Sequence, residues 1–494
     1  MKKASFSIPK EVSRVTETLE KANLKAFLVG GCVRDLLSGK KPKDWDVTTD
    51  ATPEQIIALF PDTFYENTYG TVGVVNKEEG IDETLKVIEV TPFRLEADYS
   101  DGRRPDHVTF SKNIKDDLKR RDFTFNAIAL SSKGEIVDLF KGQDDLKART
   151  IRAVGNADER FKEDALRILR AVRIATEHDF SIVKDTENAI RADVHMLKNI
   201  SQERIRDEFN RILMSSEPMK GLVMAQSLGI LKYIASELEL AIGVEQNQAH
   251  AYTVWEHLLR SMQHAADKKW PLEIRIAALF HDISKPETRR KGPKGEWTFY
   301  GHEVVGSRVT KKILERLKYS NDIIEKVTKL VRWHMFFSDT EQISLSAVRR
   351  MVNNVGQEDI WNLMNVRICD RIGTGRPKEN PYRLRKYHAM IEEALRDPIS
   401  VGMLKINGGI LIKELDLAPE VCCDPHRSDG LGSLPSDGGS GVGVSQKENK
   451  IVFTKTKRRP WGAAFVSSGQ GFLVPAMNGC ARRFERTDSQ SACP

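Results

Sequence analysis

Cysteine is scarce in this 494-residue chain: of six, only Cys32 and Cys369 precede Cys422. That spacing excludes a disulfide framework and a CxxC zinc site. No run approaches the roughly 18 uncharged apolar residues of a membrane-spanning helix. No repeat of solenoid period is present. Neither sign of charge dominates, since 77 Lys and Arg against 70 Asp and Glu leave +7; this suits a nucleic-acid partner but is shared by many ordinary enzymes. Met1 to Lys10 lacks the apolar core and cleavage site of a secretory signal, so the expected location is the cytoplasm. What is present, 40% hydrophobic and 30% charged residues, suits a soluble globular protein of two to four domains.

The order of patterns along the chain predicts an α+β protein. Up to about Thr150, short apolar runs alternate with helical periods: a helix over Val12 to Ala22, a strand at Ala26 to Val29, a helix start at Val33 to Leu37, and a strand at Trp45 to Val47. Further strands are expected at Gly73 to Val75, Val87 to Val90, Val108 to Phe110 and Ile128 to Leu130. From about Ile151 to Leu417 helical periodicity takes over, in Asp164 to Thr176, Ile205 to Met214, Trp255 to Ala265, Ile274 to Phe280 and Ile323 to His334. After Pro419 the pattern changes, because residues 421 to 494 hold ten of the 33 glycines and four of the six cysteines. Such a segment has too little apolar surface to offset its ordering entropy.

Several polar groups interrupt these runs. Leu28-Val29-Gly30-Gly31-Cys32-Val33-Arg34-Asp35 passes from a strand through two glycines into a helix, a place where backbone N–H groups can approach a phosphate. In Lys43-Asp44-Trp45-Asp46-Val47 a period of two puts Asp44 and Asp46 on one face of a strand, where two carboxylates suit divalent metal bridged to phosphate. Glu89 lies in the apolar run Val87 to Val90, where a buried carboxylate is costly unless ligated or paired. Arg120-Arg121-Asp122-Phe123-Thr124-Phe125-Asn126 offers a guanidinium to clamp phosphate, with Asp122 and Asn126 as hydrogen-bonding groups; the plainer alternative is that Asp122 caps a helix. Glu163-Asp164-Ala165-Leu166-Arg167-Ile168-Leu169-Arg170 spaces Asp164, Arg167 and Arg170 along one helical face, able to present donors and acceptors to a base edge, or simply to form surface ion pairs.

Together, Leu28 to Asp35, Asp44-x-Asp46 and Arg121-Asp122-Phe123-Thr124-x-Asn126-Ala127 resemble the class II tRNA nucleotidyltransferase and bacterial poly(A) polymerase family, of the polymerase β superfamily. The resemblance runs over residues 10 to 417 in the right order. It implies a metal-dependent head with Mg2+ at Asp44 and Asp46, Glu89 as a third carboxylate, and nucleotide contacts at Gly30, Gly31, Arg34, Arg121, Asp122 and Asn126. It further implies that Asp164 and Arg167, with Arg170 beside them, read CTP and then ATP without a template. Glu203-Arg204-Ile205-Arg206-Asp207-Glu208-Phe209 resembles the family's neck motif, so Glu203 and Arg204 are expected to be structural. The implied partners are tRNA, CTP and ATP, with no membrane and no evident obligatory protein partner. The catalytic head alone does not separate CCA addition from poly(A) addition. The segment after His178 is more similar to the CCA-adding branch.

A second pattern follows. His257, then His281-Asp282 at the end of an apolar helix, then His302, His334 and Asp370 combine imidazole and carboxylate ligands suited to a transition metal or a binuclear centre. This order resembles the HD phosphohydrolase superfamily. By that resemblance His257, His281, Asp282 and Asp370 are the core ligands, of a divalent transition metal or Mg2+, and His302 and His334 the extra ligands of binuclear members. Ser284 stands where Gly is common. A phosphatase or 2',3'-cyclic phosphodiesterase is the implied activity. The expected organisation is a head over 1–150, a neck with base recognition over 151–215, an HD region over 216–375, a helical tRNA-binding segment over 376–419 and a disordered or aberrant tail over 420–494. Arg371, Arg376, Arg383, Arg385 and Lys386 are expected on a surface that touches the RNA backbone.

Overall fold

The computed structural model describes residues 6–65, 70–78, 80–97, 107–247, 251–335, 343–376 and 379–396, and in the tail 441–447, 450–456, 464–468 and 473–474. The chain divides into two units, Met1–Leu404 and Lys405–Pro494.

In the first unit the head is built on a seven-stranded mixed sheet. Its strands are β1 (Ala26–Val29), β2 (Asp46–Thr49), β3 (Thr63–Tyr65), β4 (Val72–Val75), β5 (Val87–Pro92), β8 (Ile128–Ser131) and β9 (Ile136–Asp138), in the order β3-β4-β5-β2-β1-β8-β9. A separate antiparallel pair, β6 (Arg94–Ala97) and β7 (His107–Phe110), lies between β5 and β8 in sequence. Residues 98–106, between these two strands, lie outside the described residues. Only β2 and β5 run parallel within the described sheet. The helix Lys10–Lys21 buries Val12, Val15 and Leu19 against Leu28, Val47 and Val90, because residues spaced by three and four share a helical face. In β5, Ile88 and Val90 face the core while Val87 and Glu89 face out, the alternation of a half-covered strand.

Beyond Ile151 the first unit is helical around one large core, which Phe123 and Phe125 of the head also enter. The described helices include Ala157–Glu163, Leu166–His178, Gln202–Met214, Val254–Asp267, Leu272–Phe280, His302–Arg316, Asn321–Trp333, Ile360–Gly373 and Tyr382–Arg396. Two short strand pairs interrupt it: Thr150–Ile151 beside Ser181–Ile182, and a hairpin of Arg290–Lys291 with Trp297–Thr298. The segment expected over 376–419 is described to Arg396. In the second unit, within 420–494 where no ordered element is expected from composition, Gly441–Lys447, Lys450–Thr456, Ala464–Ser468 and Leu473–Val474 form a four-stranded sheet. Its first two strands pair Val442 with Lys455, Val444 with Phe453 and Gln446 with Ile451, and valine, isoleucine and phenylalanine are β-forming types.

Candidate functional site

The first site begins where β1 ends. Gly30 adopts φ 75° and ψ −136°, a backbone region open essentially to glycine. A β-carbon there would stand 3.1 Å from Asp46 Oδ2 and 3.2 Å from Arg121 Nη1. Glycine turn, carboxylate and guanidinium thus meet at one point. The sheet register places Asp46 opposite Val29 on one side and Glu89 on the other, so Asp46 and Glu89 are lateral neighbours on the same face.

Two expectations are corrected here. Strand β2 starts at Asp46, so Asp44 lies on the exposed approach to the strand, separated from Asp46 by buried Trp45. Glu89 is exposed rather than buried, because it occupies the open face of β5, and it carries no desolvation cost that a ligand must repay. Among the described residues, Asp44, Asp46 and Glu89 do not form a group of donors within 4.8 Å of one another.

The arginine motif is organised by a residue that sequence reasoning missed. Asp117 has no exposed side-chain surface and pairs with Arg120 at 2.6 Å and with Arg121 at 3.0 Å. Burial pushes its carboxyl up, but the two guanidiniums hold it below the ordinary range. The available signal was helical spacing, since Asp117 precedes Arg121 by four residues. Next to it, a polar chain runs from the glycine turn toward the helical part. Arg34 donates to Asn126 Oδ1 at 3.2 Å, Asn126 Nδ2 donates to Asp122 Oδ1 at 3.0 Å, and Arg170 donates to Asp122 Oδ2 through Nε at 3.0 Å and Nη2 at 2.7 Å. Burial raises the Asp122 pKa, yet Arg170 and Asn126 hold it far below the usual carboxylate range. Asp122 does not cap the 3-10 turn Thr124–Asn126, whose N-cap is Phe123. Gly31 lies at the start of the helix that carries Arg34, where an added β-carbon would stand 3.6 Å from Arg34 Nη2.

Asp164 does not share a helix face with Arg167 and Arg170. It is extended, at φ −143° and ψ 102°, between the helices Ala157–Glu163 and Leu166–His178. Its Oδ1 accepts from the Leu166 N–H at 3.0 Å, so the carboxylate starts the second helix, the local bond through which Asp favours helix starts over interiors. Arg204 grips the same carboxylate at 3.2 and 2.7 Å. Arg167 is buried and donates to Glu163 Oε2 at 2.6 Å, to the Arg160 carbonyl at 3.0 Å and to the Arg120 carbonyl at 2.9 Å. Arg173 and Glu208 form a buried ion pair behind them.

The second site joins residues from five helical segments. His257, His281, Asp282 and Asp370 form one buried group of donor atoms within 4.8 Å of one another, and Asp282, His302 and His334 form another. Asp282 belongs to both. Its Oδ2 lies 3.1 Å from His257 Nε2 and 3.2 Å from His281 Nε2, and its Oδ1 lies 3.1 Å from His302 Nε2 and 3.5 Å from His334 Nε2. His257 Nε2 lies 3.4 Å from Asp370 Oδ1. The Nδ1 atoms of His281, His302 and His334 meet the carbonyls of Ala278, Phe299 and Val331 at 2.9, 2.6 and 2.7 Å, which turns each Nε2 lone pair toward the centre. All six expected ligands are therefore together. Burial would raise Asp282, but Lys285 and His281 hold it well below the ordinary carboxylate range. Burial drives His334 down to about 4. For His281 burial is outweighed by Asp282 and Asp370, which push it up to about 9; a bound cation would displace that proton. The donor set, imidazole nitrogen with carboxylate oxygen around a shared bridging aspartate, fits one or two divalent metals.

The close packing that brings His257 to Asp370 depends on Gly373, where a β-carbon would lie 2.1 Å from Ser261 Oγ and 2.8 Å from the His257 carbonyl. Over the centre opens a cavity of 1040 Å³, lined in part by Lys285, Trp297, Arg367, Arg371, Arg376 and Arg383. The hairpin that carries Trp297 was not foreseen, its two-residue strands being too short for a periodic signal. Arg371, Arg376 and Arg383, expected on an RNA-contacting surface, line this cavity.

Comparison with known proteins agrees with this layout. Residues 26–152 match the Poly A polymerase head domain, residues 179–242 the probable RNA and SrmB-binding site of polymerase A, and residues 254–372 the HD domain. The CCA-adding enzyme of Lactococcus lactis subsp. lactis is 38% identical over 291 residues, which is 56% of this chain and 72% of that protein. The CCA-adding enzyme of Leuconostoc mesenteroides is 40% identical over 252 residues, and that of Lactiplantibacillus plantarum 44% over 223. These matches take in 50% and 44% of this chain, and the chain spans 61% and 53% of those two relatives. The fold is similar to the crystal structure of the Bacillus stearothermophilus CCA-adding enzyme in complex with CTP, with a TM-score of 0.62 and 27% identity over 83% of this chain and 88% of that one. Among the described residues no helix is long and apolar enough to cross a membrane.

Proposed function

The chain belongs to the family of CCA-adding enzymes, and from that premise we propose that it adds C, C and A to tRNA 3' ends from CTP and ATP, without a nucleic-acid template, and carries a second, hydrolytic centre. The observation that carries the first part is the meeting of Gly30, Asp46 and Arg121 at one point. A residue without a β-carbon keeps the point between the carboxylate and the guanidinium clear, and in this reading the triphosphate binds beside it. In this reading the 3' hydroxyl oxygen of tRNA bonds to the α-phosphorus while the bond to the bridging β-phosphate oxygen breaks, and no side-chain nucleophile takes part.

Asp44 and Asp46 are the hard oxygen donors that would hold Mg2+, with Glu89 opposite Asp46 adding a third negative charge to the same face. Such an ion supplies charge neutralisation at the reacting phosphate and its leaving group. Arg121, pinned by Asp117, and Arg34, directed by Asn126, are placed to bind and orient phosphate oxygens. Asp164 and Arg167 are our base-reading pair. In this structure Asp164 is held by Arg204, and Arg167 by Glu163 and two carbonyls, so reading a base requires exchange of some of these bonds for the base's own donors and acceptors. Arg170 acts through Asp122 and is a positioning residue.

In the hydrolytic centre His257, His281, Asp282 and Asp370 would hold one divalent ion and Asp282, His302 and His334 a second. Such ions activate water for attack on a phosphoester. Lys285, 2.6 Å from Asp282, orients that carboxylate. We assign this centre phosphatase or 2',3'-cyclic phosphodiesterase activity on RNA ends.

Labelled CTP and ATP, supplied separately and together with magnesium to a tRNA lacking its CCA end, test the transferase reading. Two C residues followed by one A are expected. Runs of A without C would replace it by poly(A) addition.

A further inference from the structure

The cavity over the His/Asp centre is larger and more basic than a single phosphate needs. Its 1040 Å³ sits at the upper end of the roughly 300–1,000 Å3 usual for small-ligand sites. With Asp282 and Asp370 committed to metal, the charged lining that remains is Lys285, Arg367, Arg371, Arg376 and Arg383 against Glu296 and Glu303. Both glutamates are engaged locally: Glu296 accepts from the Lys294 N–H at 2.9 Å, and Glu303 lies 3.7 Å from Arg332.

Two of these cations are paired with carboxylates of the centre. Lys285 pairs with Asp282 and Arg367 with Asp370, so both are tied to ligand carboxylates. Arg371 follows Arg367 by about one turn on the helix Ile360–Gly373, about 6 Å further along its axis. Arg376 follows the end of that helix, and Arg383 opens the next, Tyr382–Arg396. Beside them Tyr300 and Tyr382 line the same cavity and are 88% and 64% exposed, offering ring faces on which a base can stack.

We propose that this cavity binds a nucleotide bearing at least two phosphate groups, one at the His/Asp centre and the next held by Arg371 and Arg376, with the base against the exposed tyrosines. The proposal rests on the hydrolytic reading of this site and names its substrate class. In the reaction a water oxygen bonds to phosphorus, the ester P–O bond breaks, and the departing alkoxide takes the water's proton. A phosphorylated RNA end and a free nucleoside bisphosphate share this chemistry.

The test is equilibrium dialysis of the full chain with manganese against adenosine 3',5'-bisphosphate, adenosine 3'-monophosphate and a 3'-phosphorylated trinucleotide, each checked for integrity afterwards. The wild type is expected to bind the bisphosphate at least tenfold more tightly than the monophosphate. Arg371→Ala/Arg376→Ala should abolish that preference, while Arg371→Lys/Arg376→Lys, which keeps the charge, should retain several-fold of it. Tighter binding of the trinucleotide assigns the RNA end, and tighter binding of the free bisphosphate assigns the small molecule. Equal affinity for bisphosphate and monophosphate, or a preference that survives the double alanine variant, would overturn the proposal. Hydrolysis of p-nitrophenyl phosphate by the wild type is followed in parallel; its absence would sink the hydrolytic reading, while the binding comparison decides the substrate class independently.

Discussion

Gly30 and Asp117 show how single residues set up the site at the glycine turn. Gly30→Ala would force a β-carbon against Asp46 and Arg121 in a backbone conformation that L-residues avoid, at a cost of about 1–3 kcal/mol. CTP incorporation should fall more than tenfold, with a fold still present by circular dichroism; incorporation at the wild-type rate would contradict the placement of the triphosphate. Asp117 and Asp122 both have folded pKa values below the ordinary one, so the unfolded chain binds their protons more readily. The stability they contribute is complete above pH ~4 and is lost as pH falls through their folded values. Asp117→Asn, which leaves two arginines without their shared partner, should cost about 2–3 kcal/mol at pH 7, discounted for the partial exposure of those arginines. In urea titrations the gap from wild type should narrow toward pH 3, and a constant gap would exclude the ionic account. At this scale the residues of the His/Asp cluster were legible in the sequence, because His, His-Asp, His, His, Asp is a pattern of chemistry that needs no backbone geometry. Asp117 and the exposure of Glu89 were not, since each depends on which face of an element meets the core.

Among the elements, close approach of helices is what assembles the second site. Gly373 lets the helix Ile360–Gly373 lie against Val254–Asp267, so Gly373→Ala should destabilise the protein by about 1–3 kcal/mol through overpacking and displace His257. Metal content after dialysis, measured by mass spectrometry, should drop with it. Gly306 is the contrasting case in the helix His302–Arg316: its nearest neighbour to an added β-carbon is the His281 carbonyl at 3.6 Å, an ordinary contact. Gly306→Ala is expected to stabilise by about 0.5–1 kcal/mol and to leave metal content unchanged; loss of metal there would show that the packing argument misplaces the tight contact. Most long elements were readable from period, β1 and the helix Leu272–Phe280 among them. The break at Asp164 was hidden because the helical period continues through it, and one side-chain bond to the Leu166 N–H decides the local backbone against that period. The Arg290–Thr298 hairpin was too short to register at all.

For the molecule as a whole, two clusters of functional side chains are built on one folded unit, with the arginine motif between the head and the helical part. The polar chain Arg34, Asn126, Asp122, Arg170 ties the nucleotide side of the head to the helix after Asp164. Phe123 and Phe125 anchor the same segment in the helical core. Asp122→Ala is therefore expected to impair incorporation of CTP and ATP alike, through kcat more than KM, because it releases Arg34 and Arg170 together. An effect confined to one nucleotide would instead make Asp122 a base-reading residue. The order of domains was legible because each part has its own residue pattern. The way the motif segment joins them was not, since it rests on contacts between residues far apart in sequence.

In the proposed function, nucleotidyl transfer belongs to the Gly30, Asp46 and Arg121 site and not to the His/Asp centre. The most direct measurement is incorporation of labelled CTP and ATP into tRNA lacking CCA by wild type, Asp46→Ala and His281→Ala in magnesium. The account predicts addition of C, C and A by wild type and His281→Ala and none by Asp46→Ala. Incorporation that survives Asp46→Ala, or that is lost in a folded His281→Ala, would contradict it.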